Sequence, residues 1–471
     1  MAEETRIGVF VCDCGSNIAG YLDVKELAEY AKTLPNVVFV RENLYTCSES
    51  GINEIKAAIK EQNLNRVVVA SCTPRTHEPL FRGTCAEADL NPYLFEMVNI
   101  RDQCSWVHMQ EREEGTNKAK DLIRMGVAKA ALLEPQQDIQ SEVDPRAMVL
   151  GGGISGMTAA MALANRGYEV TLVEKAPELG GLLLKLDKLA PADMDAPELA
   201  RQQAEMVRGN PNIKVYTSTT VDEVQGYIGH FQVTVTTNGV QQRFPCGIII
   251  VATGADVLKP VGLFGYDGEK VINQLELEER FRAGTFAARH VVMIQCAGAR
   301  IEERKYCSRI CCMVAIKNAI EIKERSPETT VHILYRDIQA YGVENEILFQ
   351  RAKELGVLFI KYDVARPPVV EADRVVVHHE LLGRDLNLPQ DLVVLSTPLV
   401  AAEDNERISK LLRVSIDANK FFLEGHVKLK PLDFATDGIY LCGNAHYPAT
   451  VREAISQALG AASRASIPLA K

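Results

Sequence analysis

The stretch AMVLGGGISGMTAAMALANRGYEVTLVEK at 147–175 decides the fold of most of this chain. An apolar run of the β type leads into the glycine-rich turn GGGISG, which opens a helical pattern followed by a second β-type run. In this order, glycines permit a tight turn and let a pyrophosphate approach the helix N-terminus, while an acid at the next strand end bonds ribose hydroxyls. The stretch therefore predicts a Rossmann-type dinucleotide site rather than a structural turn without a ligand. The residues assigned to it are Gly151, Gly153, Ile154, Ser155, Gly156, Glu174, Lys175 and Gly181.

Two later segments favour FAD over NAD as the dinucleotide. GIIIVATGA at 247–255 is typical of flavoproteins with two dinucleotide sites, in which Thr253 and Gly254 turn the chain near the first nucleotide. TDGIYLCGNA at 436–445 is similar to the strand whose final Gly-Asp binds the flavin ribitol, but here the pair is Gly443-Asn444. The amide of Asn444 can still bond a hydroxyl. The helix after Thr450 is expected to aim its N-terminus at the flavin, although Thr450 fits a plain N-cap equally well.

Length and composition limit the function classes. A chain of 471 residues with 47% apolar and 24% charged residues is typical of a globular protein of two or three domains. The net charge of −10 argues against nucleic acid as a partner. No apolar run reaches the roughly 20 residues of a membrane helix, and the N-terminus lacks a secretion signal, so we expect a cytoplasmic protein. Twelve cysteines in such a chain indicate metal or redox chemistry.

The chain is predicted to contain three α/β domains. Residues 1–134 alternate β-branched runs with helical patterns, which predicts a small α/β domain with a parallel sheet. Residues 146–285 plus 400–471 form the predicted FAD domain, and 286–399 form a second nucleotide-binding-like domain. The expected fold is thus a flavoprotein with two Rossmann-type, parallel-sheet domains, preceded by the small N-terminal domain.

The second βαβ pattern departs from that plan. Its first strand, HVVMIQ at 290–295, runs directly into CAGARIEERKYCSRICC at 296–312. In pyridine-nucleotide disulfide reductases a second GxGxxG holds NAD(P)H at this point, and a CxxC pair accepts the electrons. This chain has neither motif. We therefore expect electrons to enter and leave the flavin by another route.

Four cysteines of the 296–312 segment offer that route. Cys296, Cys307, Cys311 and Cys312 supply four thiolates, the ligand set of an iron–sulfur cluster. If a helix begins near residue 306, Cys307 and Cys311 share one of its faces. Zinc sites usually present two CxxC-like pairs, so zinc is disfavoured, while a metal-free core and a disulfide relay remain as alternatives. Basic residues of the segment are expected either to offset the cluster's charge or to form a solvated surface: Arg300, Arg304, Lys305 and Arg309.

The combination resembles the family of heterodisulfide reductase A-type subunits. The resemblance lies in YCSRICC at 306–312 and in the N-terminal strings ASCTPRTHEPLF and NPYLFEMVNIRDQCSWVH, and it covers nearly the whole chain. It implies a thioredoxin-reductase-like FAD domain with a 4Fe–4S cluster on the 296–312 segment. The implied protein is an electron-transfer flavoprotein, in some members electron-bifurcating, within a larger complex that reduces a disulfide. Family position also places His446 near the flavin.

Five N-terminal cysteines are candidates for a second 4Fe–4S cluster, which the resemblance implies for this domain. Cys12, Cys14, Cys47 and Cys72 lie at or just past predicted strand ends, and Cys104 is the fifth candidate. The ends of parallel strands converge on the edge where α/β folds bind ligands. Cys85, in a helical segment, is expected to serve packing only.

The resemblance also suggests the partners. Full-length relatives usually carry ferredoxin modules, but this chain has no CxxCxxC stretch. We expect other redox subunits to carry electrons in place of these modules: ferredoxin-like, heterodisulfide reductase B- or C-like, or hydrogenase- or dehydrogenase-linked proteins. The setting is expected to be an anaerobe's cytoplasm and the protein a homodimer, and no catalytic residue is assigned. The alternatives are an independent NAD(P)H-dependent flavoprotein oxidoreductase and a non-catalytic scaffold subunit.

Overall fold

The computed structural model describes residues 4–138 and 141–470. The chain forms two compact units, Met1–Ser141 and Glu142–Lys471. Parallel sheets with helices packed against them form the centre of each unit, which confirms the predicted α/β class. The predicted boundaries of three domains are not tested by this division and stay a prediction.

The first unit is built on a four-stranded parallel sheet with the order β2-β1-β3-β4. Its strands are β1 (Ile7–Cys12), β2 (Val37–Asn43), β3 (Arg66–Ser71) and β4 (Phe95–Asn99). Its helices are α1 (Val24–Lys32), α2 (Glu49–Glu61), α3 (Pro74–Glu87) and α4 (Arg112–Ala131), with a π-helical turn at Arg101–Ser105. Every residue of β1 is buried because helices cover both faces of the sheet. This arrangement leaves the carboxyl ends of the strands as the edge where loops gather.

The second unit contains two five-stranded parallel sheets, with orders β24-β13-β5-β6-β9 and β15-β22-β16-β17-β18. The strands of the first are β5 (Ala147–Leu150), β6 (Val170–Val173), β9 (Ile213–Tyr216), β13 (Ile248–Val251) and β24 (Ile439–Leu441). The strands of the second are β15 (Val271–Asn273), β16 (His290–Ile294), β17 (Thr330–Tyr335), β18 (Leu358–Lys361) and β22 (Leu392–Leu395). Short antiparallel strands complete the unit: β7 (Lys188–Leu189), β8 (Met194–Asp195), β10 (Thr219–Gln225), β11 (Phe231–Thr237), β12 (Val240–Cys246), β14 (Ala255–Val257), β19 (Val369–Val370), β20 (Arg374–His379), β21 (Arg384–Pro389) and β23 (Leu399–Ala401).

Helices cover both sheets of the second unit. They are α5 (Ile154–Ala164), α6 (Ala196–Gly209), α7 (Gln274–Ala283), α8 (Cys311–Arg325), α9 (Val343–Glu354), α10 (Asn405–Leu412) and α11 (Val451–Leu469), with short 3₁₀ turns at Gly181–Lys185, Glu380–Leu382 and Gly443–Ala445. Small residues let α5 and α11 pack closely on the first sheet, where Ala160 and Ala461 share one core with Val149. The close packing brings the N-terminal part of α5 next to the C-terminal segment of the chain.

Candidate functional site

The glycine-rich turn after β5 leaves open space beside Gly153 at the start of α5. A Cβ on Gly156 would lie 1.8 Å from the carbonyl oxygen of Gly151, and a Cβ on Gly151 would lie 2.3 Å from that of Ala252. Both positions therefore require glycine. A Cβ on Gly153 would meet nothing within 4 Å, and the first turn of α5 has no side-chain cap. The start of the helix is thus open on the side of Gly153 and has no side-chain cap, which is the arrangement that admits a phosphate.

Glu174 braces this turn from the end of β6. Its side chain is buried, and its two oxygens accept from the backbone N–H groups of Gly152 at 2.5 Å and Ala176 at 2.7 Å. Gly181 packs on the opposite side, where an added Cβ would lie 3.1 Å from the Cα of Gly153. The carboxylate is therefore held at the turn, and each of its oxygens can still accept a further hydrogen bond.

Three further predicted residues lie around the same edge of the sheet. Gly254, with φ of 76°, turns the chain after β13, and the hydroxyl of Thr253 donates to Asn405 at 3.5 Å. Lys175 pairs with Asp404 at 3.4 Å on the surface. The structure thus gives Lys175 a protein partner, and its assignment to the cofactor stays a prediction.

The segment after β24 meets the start of α5. A Cβ on Gly443 would lie 2.0 Å from the Oγ of Ser155, so the predicted Gly-Asn pair and the glycine-rich turn are in contact. The N–H of Gly443 donates to Gln457 of α11 at 3.0 Å, and Asn444 accepts from the N–H of Ala449 at 2.7 Å. The oxygen of Asn444 is therefore used to shape its own turn, which leaves its NH₂ group as the donor available to a ligand.

His446 and Thr450 occupy the approach to α11. The Nε2 of buried His446 lies 2.9 Å from Glu424. Burial by itself raises the pKa of the Glu424 carboxyl. The hydrogen bond from His446 and other nearby contacts together lower it by more, so the pKa lies below its ordinary value. Thr450 is the N-cap of α11 and forms a capping box with Glu453, as one of the two alternatives predicted.

Several buried polar atoms on these segments have no hydrogen-bond partner among the described residues. They include the Nδ1 of His446 and the Nε2 of Gln457. Such atoms are rare in native structures and usually bind water or a ligand. Their presence fits a site that a bound dinucleotide completes.

The loop between β16 and α8 differs from the glycine-rich turn after β5. A Cβ on Gly298 would lie 2.6 Å from a side-chain carbon of Leu258 and 3.1 Å from one of Leu263, whereas the space beside Gly153 is open. The helix begins at Cys311 and not near residue 306, so the expectation that Cys307 shares a helical face with Cys311 is wrong. Cys307 lies instead in the preceding loop.

The four thiols of this loop share one electrostatic neighbourhood. Burial, followed by the charges of Cys312, Cys307 and Cys296, raises the pKa of Cys311 well above its usual range. Burial raises the pKa of Cys312 to about 11, and Cys296 and Cys307 contribute in the same direction. The Sγ of Cys311 donates to the carbonyl oxygen of Thr397 at 3.4 Å. Bringing four thiols together without a metal is therefore unfavourable for thiolate formation.

Two arginines offset this effect at Cys296. Burial raises the pKa of its thiol, and the charges of Arg336 and Arg300 oppose that rise. Arg300 also pairs with Asp337 at 2.8 Å, and Arg336 donates to the carbonyl oxygen of Arg300 at 3.0 Å. Sequence reasoning named Arg300 but missed Arg336, which is distant in the chain.

The other basic residues of the segment have different partners. Arg304 donates to the carbonyl oxygen of Gly298 at 2.6 Å and so ties the loop to itself. Lys305 forms an exposed pair with Glu302 at 2.7 Å. The solvated-surface alternative therefore holds for Lys305.

Four thiols also gather at the carboxyl edge of the first unit's sheet. Burial raises the pKa of Cys72 to about 11; Arg101 opposes this, and Cys14, Cys12 and Cys47 add to it. Burial, Cys12 and Cys14 likewise raise the pKa of Cys47. These mutual effects place the four cysteines within electrostatic reach of one another.

Buried polar atoms without a partner lie at the same edge. Within residues 4–138, these are the Oδ1 of Asp13, the Oδ1 of Asn43, the Oγ1 of Thr46 and the Oγ of Ser71. All four follow or end strands β1, β2 and β3. A group bound at this edge would account for them.

Cys104 and Cys85 lie outside the electrostatic reach of these four thiols. Cys104 is fully buried in the core that contains Leu27 and Ile123; burial raises its pKa to about 11, against the charge of Lys118. No other thiol contributes to that pKa. Cys85 is buried in the core on the other face of the sheet, as the packing interpretation predicts.

The donor chemistry of both thiol groups fits an iron–sulfur cluster, since four thiolates are its usual ligands. In the part of the chain that the structure describes, however, no three His, Cys, Asp or Glu side chains are arranged to hold a metal ion. The cysteine assignments therefore stay predictions.

Sequence reasoning missed a buried ion pair between α7 and α8. The Nζ of Lys317 lies 2.8 Å from Glu278, which is fully buried, and also donates to the carbonyl oxygen of Lys188 at 3.1 Å. Next to it, Asn318 donates to Gln274 at 2.8 Å. The signal was present in VAIKNAIEIK, where two polar residues interrupt the apolar face of a helix.

Two surface pockets lie away from all these residues. They measure about 300 and 200 Å³ and lie beside residues 436–439. None of the predicted site residues lines them.

Comparisons with known proteins agree with this geometry. A family model described as pyridine nucleotide-disulphide oxidoreductase matches residues 145–294. The thioredoxin reductase of Lactococcus lactis has the same fold over 69% of this chain and 99% of its own, with a TM-score of 0.50 and 18% identity. These findings confirm the predicted thioredoxin-reductase-like fold.

Full-length relatives extend the comparison to the first unit. The chain is 38% identical to the second iron–sulfur A-type subunit of CoB–CoM heterodisulfide reductase from Methanopyrus kandleri, over 99% of this chain and 86% of that protein. It is 37% identical to the A-type subunit of H(2):CoB-CoM heterodisulfide,ferredoxin reductase from Methanothermobacter thermautotrophicus, over 100% and 86%. Each alignment spans 569 positions, more than the 471 residues of this chain, so these relatives carry segments without a counterpart here.

Among the described residues, no helix is both long and apolar enough to cross a membrane.

The identity of 37–38% to these relatives extends over nearly the whole length of the chain and accompanies a flavoprotein-type fold. It shows that the chain is an oxidoreductase belonging to the family of heterodisulfide reductase A-type subunits.

Proposed function

We propose that this chain is a flavin- and iron–sulfur-containing electron-transfer subunit of a complex that reduces a disulfide. The observation that carries the proposal is the loop between β16 and α8, where four thiols stand in place of a second phosphate-binding turn. The matched family model ends at residue 294, the last residue of β16, directly before the first of these thiols.

FAD would bind at the open N-terminus of α5. Gly153 leaves space for the pyrophosphate, Glu174 faces the adenosine ribose, and the NH₂ group of Asn444 donates to a ribitol hydroxyl. His446, oriented by Glu424, keeps its buried Nδ1 for the flavin ring or a proton. The bound flavin supplies the ability to exchange electrons singly or in pairs.

The two thiol groups would each hold a 4Fe–4S cluster. Cys296, Cys307, Cys311 and Cys312 are the ligands proposed in the second unit, where Arg300 and Arg336 offset the negative charge. Cys12, Cys14, Cys47 and Cys72 are the ligands proposed in the first unit, supported by their mutual pKa effects and by the unpartnered polar atoms at that edge. Cys104 is left out because no other thiol acts on its pKa, whereas Cys12, Cys14 and Cys47 all act on that of Cys72.

Partner proteins would connect this chain to the final donor and acceptor. The names of the relatives include heterodisulfide and ferredoxin as reactants, and the longer relatives carry segments that this chain lacks. We propose that separate ferredoxin-like or reductase subunits, bound to a homodimer of this chain, provide the missing electron path. Bifurcation would require two such paths.

Cofactor content after anaerobic purification tests the proposal. We expect about one FAD and about four or eight irons per chain, with equal sulfide. Zinc in place of iron would refute the cluster assignment. Rapid bleaching of the flavin by NADH or NADPH would support an independent oxidoreductase instead, and a colourless protein would support a scaffold.

A further inference from the structure

Arg309 joins the thiol loop to the start of the last helix. Its guanidinium lies 3.1 and 3.4 Å from the two carboxylate oxygens of Glu453 and donates to the carbonyl oxygen of Pro448 at 2.9 Å. The same group lies 5.5 Å from the centre of the Tyr447 ring. The planar fork of arginine can satisfy all of these contacts together, whereas a lysine ammonium cannot.

The backbone of Arg309 is tied to the thiols as well. Its N–H donates to the Sγ of Cys307 at 3.3 Å, and hydrogen bonds to cysteine sulfur are one way in which proteins set cluster potentials. The residue has a φ of 62°, a left-handed conformation that a non-glycine residue keeps only when its surroundings hold it there. The side-chain contacts supply that restraint. The position of the backbone N–H at Cys307 therefore depends on the contacts that the guanidinium makes.

The contacts at Glu453 reach the predicted flavin site. Glu453 belongs to the capping box with Thr450, which fixes where α11 begins. One turn later, Gln457 accepts from the N–H of Gly443, the residue in contact with the start of α5. Hydrogen bonds at Arg309 and Gln457, joined by the first turns of α11, therefore link a cysteine sulfur to Gly443, which packs against the glycine-rich turn.

Stability alone does not explain this arrangement. The side chains of Arg309 and Glu453 are 36% and 33% exposed, and ion pairs at such positions contribute little to the free energy of folding. We propose that Arg309 is a positioning residue that couples the thiol loop to the flavin-facing start of α11, so that a change of charge at the thiols alters the order of residues 446–457. This inference rests on the proposed function, because it requires a redox group at the thiols.

Three variants separate geometry from charge. Arg309→Gln removes the guanidinium contacts and keeps the backbone N–H, and Arg309→Lys keeps the charge but cannot form the fork. Lys305→Gln is the matched control, because it removes one positive charge from the same loop at an exposed pair with Glu302. Each anaerobically purified holoprotein is assayed for iron and flavin, and amide hydrogen exchange of 446–457 is measured oxidised and after reduction with dithionite.

We expect exchange in this segment to differ by about threefold or more between the two redox states in the wild-type protein and in Lys305→Gln. Both Arg309 variants should retain iron and flavin, exchange faster in either state and lose the redox difference. If Arg309→Gln does not fold, the exchange rates of Arg309→Lys alone test the inference.

Three results would overturn the inference. The first is wild-type exchange in 446–457 that is equal in the two redox states. The second is an Arg309→Lys variant with the same exchange rates as the wild type. The third is a Lys305→Gln variant that loses the redox difference as the Arg309 variants do. A wild-type protein without iron or flavin would instead refute the proposed function and, with it, this coupling. The cofactor assay distinguishes that case from the other three.

Discussion

Replacing Gly153 by alanine should weaken flavin binding without weakening the fold. An added Cβ at this position meets no atom within 4 Å, and the backbone angles, with φ of −74°, suit alanine. We therefore expect the free energy of unfolding to change by no more than about 0.5 kcal/mol. The new methyl group projects into the space beside the N-terminus of α5, where the pyrophosphate is proposed to bind.

The expected loss of affinity follows from the hydrogen bonds that the phosphate would lose. A hydrogen bond to a charged group contributes about 1.5–3 kcal/mol, and its loss weakens binding roughly 10- to 150-fold. Gly156→Ala is the contrasting variant, since its Cβ would lie 1.8 Å from the carbonyl oxygen of Gly151. That collision should destabilise the fold by about 1–3 kcal/mol and affect flavin binding only as a consequence.

Flavin titration of the deflavinated protein, followed by absorbance, gives the affinity, and urea unfolding of the same samples gives the stability. The reasoning fails if Gly153→Ala binds FAD as tightly as the wild type. It also fails if Gly153→Ala loses as much stability as Gly156→Ala, because the space beside the helix would then not be free.

Three further predictions concern other parts of the chain. Cys14→Ser should lower the iron content by about four per chain, whereas Cys85→Ser should leave it unchanged, as measured colorimetrically after anaerobic purification. Because the pKa of Glu424 lies below its ordinary 4.5 in the folded protein, its contribution to stability is complete above pH 4.5 and is lost as the pH falls through the lowered value. Glu424→Gln should remove that part of the acid sensitivity in urea unfolding curves, and an unchanged pH dependence would contradict this. Lys317→Met should destabilise the fold by about 3–5 kcal/mol by leaving Glu278 buried and unpaired, and adding Glu278→Leu should recover most of the loss in the same assay.

The glycine-rich turn could be predicted because its requirements are local. A side chain at Gly156 would collide with the backbone of Gly151, and one at Gly151 would collide with the backbone just after the neighbouring strand β13. The spacing of these glycines is therefore visible in the sequence. The thiol edge of the first unit was predictable for a similar reason, since parallel strands end at one edge. Cys104 could not be separated from the other candidates, because it follows β4 in a π-helical turn that directs it into the core.

The condition that α8 begins near residue 306 is not met, because distant contacts decide where the helix begins. Arg309 adopts a left-handed conformation just before the helix, and the atoms that hold it there belong to Pro448 and Glu453. No local pattern reports such contacts. For the same reason Arg336 was not recognised as a neighbour of Cys296, although both lie at strand ends of one sheet.

The packing at Gly298 has a consequence for which molecules could reduce a bound flavin. Leucine side chains crowd the glycine of the loop that follows β16. If this loop accepts no pyridine nucleotide, electrons can reach a bound flavin only through proteins that dock on the chain. The choice of electron donor would then depend on protein surfaces and not on a nucleotide pocket.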